Sequence, residues 1–163
     1  SGYSHGGNGF EGMAFLLERF KDRALKDPTD PRHGIDLKAM ATAYAKSYKA
    51  EKRLAKEIGQ ELHALPGVHH PVFKGNPVNH HPHERFIAQF MAERGDDNVL
   101  HAFPRELAQA LYDTGATPYV FCVNVDAVIA ALMPSLLWTD LKSGLLTERD
   151  LKTRHSRCSC TAA

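Results

Sequence analysis

Three separated polar clusters hold the residues of this chain that could do acid/base chemistry. They lie at residues 4–8 (Ser-His-Gly-Gly-Asn), 66–70 (Pro-Gly-Val-His-His) and 124–126 (Asn-Val-Asp). Each places a histidine or an aspartate beside glycine or at a break between helix-like stretches, where the backbone can approach a ligand. His and Asp are common general acids and bases because their pKa values can be brought near the working pH. Two histidines and one carboxylate therefore form a candidate acid/base set.

Two of these candidates also have a purely structural interpretation. Asp126 opens an apolar stretch and could simply be a helix N-cap. Apolar neighbours such as Val128 would also desolvate its carboxylate and make it a stronger base, so the two roles are compatible. His5 could belong to a flexible terminus. Alternatively, the free N–H groups and positive dipole at the start of the next helix could help His5 to stabilise an enolate.

A third interpretation concerns the histidine-rich segment that follows the second cluster. It contains five histidines within fifteen positions, namely His69, His70, His80, His81 and His83. Zinc sites need three or four ligands in tetrahedral geometry and usually show recognisable Cys/His spacing. Here no cysteine is near and the pairs are adjacent in sequence, so we predict no metal site. A loop that faces substrate or solvent is the preferred interpretation.

The elements that must position these residues are predicted to be helices. Apolar residues recur at helical spacing, and proline, glycine and capping residues separate the segments. We predict helices over residues 10–27 with Asn8 as N-cap, 35–57 with Asp36 near its start, 84–94, 98–114 and 127–138, and a last helix capped by Thr147. Pro104 should kink its helix or delay its start. Residues 66–82 form a long loop, and residues 117–123, although strand-like, have no partner strand. The expected fold class is all-α.

Length and charge limit the functional classes. A chain of 163 residues is long enough for one domain with a core. The formal net charge of +1 gives no sign of nucleic-acid binding. Lys and Arg recur between residues 38 and 56, but Asp36, Glu51 and Glu57 interleave with them, so we interpret this stretch as a solvated helix face. No apolar run is long enough to span a bilayer.

Cysteine usage and the two ends of the sequence suggest further expectations. Cys122 lies in an apolar segment, whereas Cys158 and Cys160 lie in a tail without apolar periodicity. An odd number of cysteines without framework spacing indicates a reducing compartment, so we expect a cytoplasmic protein. Ser1 is not an initiator methionine, and we expect residues 1–152 to be one domain of a longer protein. Residues 153–163 are expected to be an unstructured or unrelated tail.

Taken in order, the three clusters resemble motifs of one family. The chain resembles the carboxy-terminal part of citrate synthases, including the small CoA-binding domain, and the related citryl-CoA lyase module of ATP-citrate lyase. Those proteins carry Leu-His-Gly-Gly, then Pro-Gly-x-Gly-His with a following Lys, then Asn-Val-Asp opening a helix. Here the matches are residues 4–7, residues 66–70 with Lys74, and residues 124–126. The resemblance implies a helical bundle like that small domain.

The resemblance also implies a reaction and a role for each residue. The reaction would be a Claisen-type condensation of acetyl-CoA with oxaloacetate or a related 2-oxo acid, giving citrate and CoA, without a further cofactor. Asp126 would remove the thioester α-proton, and His5 would hydrogen-bond the thioester oxygen as the enol forms. His70, favoured over His69 by register, would polarise the acceptor's ketone. We expect Lys74 to contact CoA phosphate and Asn124 to position its neighbours.

Departures from the family's pattern leave the acceptor and the direction open. Family members continue with Asn-Tyr-Asp-Pro-Arg, whose Arg binds a carboxylate of oxaloacetate, whereas this chain has Asn-His-His-Pro-His at residues 79–83. His83 stands in place of the Arg, and imidazole cannot give its fixed-charge bidentate grip. The alternatives are citryl-CoA cleavage by the same residues and a non-catalytic helical fragment that binds CoA or a partner. The resemblance implies a homodimer for the intact protein.

Overall fold

The fold is all-α, as predicted. The structure, a computed structural model, describes residues 2–62, 65–68, 81–117, 123 and 125–151, and for residues 2–8 it describes the backbone. Six helices occur in this part of the chain, and no strand does. They are α1 (Gly2–Phe20), α2 (Leu37–Glu57), α3 (Pro82–Arg94), α4 (Val99–Asp113), α5 (Val125–Leu136) and α6 (Trp138–Ser143). None of the helices searched in the described part is long and apolar enough to cross a membrane.

The predicted helix starts near Asp36 and at Thr147 are confirmed. The side chain of Asp36 caps α2, and the side chain of Asn98 caps α4 by accepting from the backbone N–H groups of Leu100 and His101. Thr147 and Asp150 exchange hydrogen bonds in a capping box with Asp in place of Glu, and a helical turn follows at residues 148–151. Pro104 lies inside α4, which begins before it. The late start that Pro104 could have caused does not occur.

The predicted bounds of the first helix are wrong at both ends. α1 begins at Gly2, so Asn8 lies inside the helix and is not its N-cap. α1 also ends at Phe20, seven residues earlier than expected. Beyond it, side chains from α6 bind the backbone carbonyls: Lys142 Nζ donates to the carbonyl of Lys21 at 2.6 Å, and Trp138 Nε1 donates to that of Leu25 at 3.2 Å. These bonds replace those that a longer helix would make.

Helix α4 lies at the centre of the core. Its fully buried side chains, Leu100, Phe103, Leu107 and Leu111, recur at helical spacing and form one apolar stripe. α1 contributes a similar stripe that includes Phe20, whose ring meets that of Phe103 edge-to-face at 5.3 Å. α2 approaches α4 through small buried residues at positions 41 and 45, both alanine. The core is thus built mainly between α4 and its neighbours α1, α2 and α5.

Helices α1 and α5 run side by side in the same direction. A Cβ on Gly12 would lie 2.8 Å from Ala130 Cβ, so the two backbones are in close contact there. Beyond the ends of these two helices, Trp138 and Lys142 of α6 bind the segment that follows α1. If α1 and α5 were antiparallel, the carbonyls of Lys21 and Leu25 would lie at the opposite end of the bundle from the end of α5. The two to six residues between Leu136 and the side chains of Trp138 and Lys142 could not span that distance. The first turns of α1 and α5 therefore lie at the same end of the bundle.

The ends of α2 and α4 lie at that same end. α4 is antiparallel to α5, because Asn98 Nδ2 donates to Ser135 Oγ at 2.9 Å while Ala108 packs with Val123 and Ala127. α2 is parallel to α4, because Tyr44 and Phe103 share Phe15 as a neighbour, whereas Lys52 Nζ binds the carbonyl of Ala116. We call this end, where α1 and α5 begin and α2 and α4 finish, the upper end of the bundle.

The close contact of α1 with α5 gives a prediction about stability. Gly12→Ala should lower the free energy of unfolding by about 1–2 kcal/mol, since the new methyl group overpacks against Ala130. Gly9→Ala is the matched control: a Cβ there meets nothing within 4 Å, and the better helix propensity of Ala should stabilise by about 0.5–1 kcal/mol. Urea denaturation of both variants measures the two signs. Equal stabilisation by both substitutions would contradict the close contact.

Candidate functional site

Asp126 lies in the first turn of α5 with its side chain buried. The residue is 5% exposed and follows the buried Val123 by three positions. Because the helix begins at Val125, Asp126 is the second helical residue, so its interpretation as the N-cap is wrong. The positive end of the helix dipole stabilises a carboxylate at this position. Asp126 is therefore a buried carboxylate near one end of the bundle.

The described part of the second cluster packs directly on α5 beside Asp126. Gly67 has φ +77°, and a Cβ on it would lie 2.8 Å from Ala127 Cβ and 3.2 Å from Ala127 Cα. Its neighbour Val68 is buried and lines a small gap together with Leu107 and Ala127. The positive φ and the close approach explain why glycine stands at this position. The chain segment that leads to His70 is therefore anchored at the upper end.

The first cluster belongs to the first turns of α1. His5 is the fourth residue of that helix and lies seven residues before Gly12, whereas Asp126 lies four residues before Ala130. At 1.5 Å per residue, His5 is about 10 Å and Asp126 about 6 Å beyond the Gly12–Ala130 contact along two parallel neighbouring axes. The backbone of His5 and that of Asp126 therefore lie at similar heights at the upper end of the bundle.

The start of α3 is bonded to the chain just before Asp126. The backbone N–H of His81 donates to the carbonyl of Val123 at 3.3 Å, and His81 Nδ1 accepts from the backbone N–H of His83 at 3.2 Å. His81 is thus the N-cap of α3, with Pro82 in the first helical position that suits proline. His83 is exposed, and its ring lies 4.8 Å from that of His81. The exposed imidazole of His83 is free of the packed core.

Three other predicted site residues, His70, Lys74 and Asn124, lie outside the described residues, so their roles stay predictions. The same holds for His69 and His80 of the histidine-rich segment and for Cys122. Within the described residues, no group of three or more His, Cys, Asp and Glu side chains is placed to hold a metal ion.

A buried polar cluster between α3 and α4 was missed in the sequence. Glu84 is fully buried, and its Oε1 lies 3.2 Å from Nε of the half-exposed Arg105. One turn before Arg105, His101 is also buried. The position of His101 next to the apolar stripe of α4 could have indicated that this histidine is buried. Burial lowers the pKa of His101; the guanidinium of Arg105 lowers this pKa further, and the carboxylate of Glu84 opposes that effect.

The lowered pKa of His101 predicts a pH dependence of stability. Below the ordinary histidine value of 6.5, the unfolded chain binds a proton that the folded chain does not, so the free energy of unfolding falls as the pH falls. His101→Gln removes this proton uptake. We expect urea denaturation at pH 7 and pH 5 to show a smaller loss of stability for the variant than for the unmodified chain. Equal losses would contradict a buried neutral imidazole.

The described residues form an all-α bundle. The first turns of α1 and α5, the Gly67 segment and the start of α3 lie at its upper end. No protein-family model matches the chain, and comparisons with curated proteins and with solved structures found no match.

Proposed function

We propose that this chain carries the catalytic residues of a citrate synthase-like acyltransferase. The observation that carries the proposal is the meeting of separate parts of the chain at one end of the bundle. Asp126 begins α5, Gly67 packs on the next residue of that helix, and His5 belongs to the first turns of the parallel neighbour α1. The three motifs that resemble the family are thus attached to adjacent elements, although His5 and Asp126 are 121 positions apart in sequence.

The proposed reaction begins with proton removal from the thioester. The carboxylate of Asp126 takes a proton from the methyl group of acetyl-CoA, while His5 hydrogen-bonds the thioester oxygen that gains negative charge. A thioester α-proton is too weakly acidic for a free carboxylate alone, so the base and the enolate stabiliser act together. The enolate carbon then attacks the ketone carbon of oxaloacetate, and His70 donates a proton to the resulting alkoxide. Hydrolysis of citryl-CoA by water gives citrate and CoA.

The direct test supplies the substrates for both directions of the reaction. The chain is incubated with acetyl-CoA and oxaloacetate, and citrate and free thiol are measured; a parallel sample receives citryl-CoA, and acetyl-CoA and oxaloacetate are measured. Citrate formation at a rate above that of a heat-denatured sample supports synthesis. Cleavage of citryl-CoA to acetyl-CoA and oxaloacetate, without citrate synthesis, would assign the same residues to a lyase. Neither product in either sample would contradict the proposal.

The exposed His83 gives a test of the acceptor site. His83→Arg should tighten binding of oxaloacetate about tenfold, since a guanidinium can form a bidentate, charge-assisted pair with a carboxylate. Gln89→Arg is the control, because it adds the same charge at an exposed position farther along α3. Isothermal titration calorimetry gives both dissociation constants. Equal tightening by both variants would show a nonspecific charge effect and contradict the acceptor role of this position.

A further inference from the structure

A cavity that the candidate site does not use lies between the end of α1 and the start of α2. Arg19, Arg23, Ala24, Phe103 and nine residues between His33 and Ser47 line it. Its volume is about 790 Å³, which lies within the range of pockets for small ligands. We refer to this space as the α1–α2 cavity.

The α1–α2 cavity lies away from the upper end of the bundle. Arg19 is the second-last residue of α1 and follows Gly12 by seven positions, whereas Asp126 precedes Ala130, the contact of Gly12, by four. At 1.5 Å per residue, Arg19 and Asp126 are therefore about 16 Å apart along the two parallel helix axes. A ligand in the α1–α2 cavity would occupy a different site from a substrate of Asp126.

The guanidinium of Arg19 is held in place by its neighbours. Its Cζ lies 3.5 Å from the ring centroid of Phe15 and 4.4 Å from that of Tyr44, and its Nη1 donates to the carbonyl of Phe15 at 2.7 Å. The side chain is 18% exposed, and its Nε is buried with no hydrogen-bond partner among the described residues. Because the guanidinium is already ordered, an anion loses less entropy in binding it.

Carboxylates neutralise only part of the positive charge that lines the cavity. Glu18 Oε2 lies 3.0 Å from Nη1 of Arg19, but the Glu18 side chain is 77% exposed, and such pairs contribute little. Asp36 is the one acidic residue of the lining, and its Oδ1 accepts from the backbone N–H of Ala39 as the cap of α2. Arg23 forms no ion pair with any described residue, and its Nε donates to the carbonyl of Arg19 at 2.9 Å. The lining therefore favours an anion.

Neutral hydrogen-bond donors also line the α1–α2 cavity. Nδ1 of His33 accepts from the backbone N–H of Ile35 at 2.9 Å, so the neutral imidazole carries its proton on Nε2. Burial raises the pKa of the Tyr44 phenol, while the guanidinium of Arg19 opposes that effect, so the phenol stays protonated at neutral pH. The hydroxyl of Ser47 adds another donor. These groups suit the oxygen atoms of an anion.

Apolar side chains supply another part of the lining. Phe103 is fully buried, and Ile35 and Met40 are partly buried where they pack against the core. A ligand with an apolar body would gain free energy by removing these side chains from water. A small hydrophilic anion would leave most of the cavity to water. The lining therefore favours an anion that carries an apolar body.

We propose that the α1–α2 cavity binds a monocarboxylate with an apolar body, such as an aryl carboxylic acid. The carboxylate pairs with the guanidinium groups of Arg19 and Arg23, whose planar arrays of donors match two carboxylate oxygens. The apolar body covers Met40 and Phe103. Such a ligand differs from oxaloacetate and citrate, which carry more than one carboxylate and no apolar body. Binding at this site does not require the proposed reaction.

The test uses the full chain, with 2-naphthoate as the probe and 2-naphthamide as its neutral analogue of similar shape. Isothermal titration calorimetry gives the dissociation constants. We expect the unmodified chain to bind the acid at least about tenfold more tightly than the amide, because a hydrogen bond to a charged group is worth more than a neutral one. The exposed Arg23 can be replaced without disturbing the core, and Arg23→Gln should weaken binding of the acid about fivefold.

Two further variants complete the comparison. Arg53→Gln is the matched control, because it removes an exposed arginine from the other half of α2, and it should change binding of the acid less than about twofold. Arg19→Gln should weaken that binding at least about tenfold. Because Arg19 packs against two rings, circular dichroism checks that this variant is folded. If it is unfolded, Arg23→Gln and the comparison of acid with amide decide.

Several results would overturn the site. No binding of 2-naphthoate by the unmodified chain, equal affinity for the acid and the amide, or equal losses in Arg23→Gln and Arg53→Gln would remove the carboxylate assignment. Acetate that binds as tightly as 2-naphthoate would remove the apolar body from the assignment. Citrate that binds more tightly than 2-naphthoate and displaces it would contradict a site for monocarboxylates.

Discussion

Asp126→Asn is expected to lower the rate of the proposed condensation by about 10²–10⁴-fold, the usual contribution of a general base. The amide is nearly the same size as the carboxylate but cannot accept the thioester α-proton at neutral pH. Because Asp126 is buried in the first turn of α5, the replacement also removes a charge that the helix dipole stabilises, and about 0.3–1 kcal/mol of stability should be lost. Initial rates of citrate formation measure the effect on activity.

A matched substitution separates loss of the base from loss of the fold. Asp140 occupies the first turn of α6, so Asp140→Asn makes the same chemical change at a comparable helix position. It should leave the rate of condensation within about twofold, while thermal unfolding shows both variants to be folded at the assay temperature. A folded Asp126→Asn variant with an unchanged rate would limit Asp126 to a structural role.

Gly67→Ala is expected to lower the free energy of unfolding by about 2–5 kcal/mol, the largest effect on stability among these variants. Two costs add at this position. The backbone has φ +77°, which residues with a Cβ rarely adopt, and the new Cβ would lie 2.8 Å from Ala127 Cβ. Ala127 follows Asp126, so the displaced segment should also disturb the candidate base. Urea denaturation and the condensation assay report the two consequences.

Gly59 is the control for the conformational cost alone. It has φ +70° at the end of α2, and a Cβ there would meet nothing within 4 Å, so Gly59→Ala should cost only about 1 kcal/mol. The contact with Ala127 can be tested by the double variant G67A/A127G, which removes one of the two clashing methyl groups. The double variant should be more stable than the sum of the single effects implies. Strict additivity would contradict the close contact of Gly67 with α5.

Local signals in the sequence predicted most of the helices because their causes are local. Asp36 caps the helix at whose start it was expected, and Gly95 and Gly115 adopt positive φ where α3 and α4 end. The bounds of α1 could not be obtained this way. Asn8, interpreted as the N-cap, suggested a late start, whereas tertiary contacts decide where it lies: Gly12 packs against α5, and side chains of α6 bind the carbonyls beyond Phe20.

The candidate site was only partly predictable for the same reason. Residue types and spacing suggested His5 and Asp126 as candidates, but no local pattern indicates that α1 and α5 are parallel neighbours. The ionic contact of Glu84 with Arg105 joins residues 21 positions apart on two helices, and the sequence offered no sign that Glu84 is fully buried. Alternating charges on α2 predicted a solvated face, and this prediction is confirmed, since Lys46, Lys49 and Arg53 are exposed and Glu57 Oε1 lies 3.7 Å from Nε of Arg53.

Hydrogen–deuterium exchange of the acetyl-CoA methyl group tests the central claim most directly, because it isolates proton removal from acceptor binding and from the direction of the overall reaction. The chain is incubated with acetyl-CoA in D₂O, with an unreactive dicarboxylate in the place of the acceptor, and mass spectrometry follows deuterium in the acetyl group. The account predicts incorporation by the unmodified chain and by Asp140→Asn, and a rate at least about a hundredfold lower for Asp126→Asn. Incorporation at the same rate in Asp126→Asn, or at no more than the protein-free rate in the unmodified chain, would contradict the account.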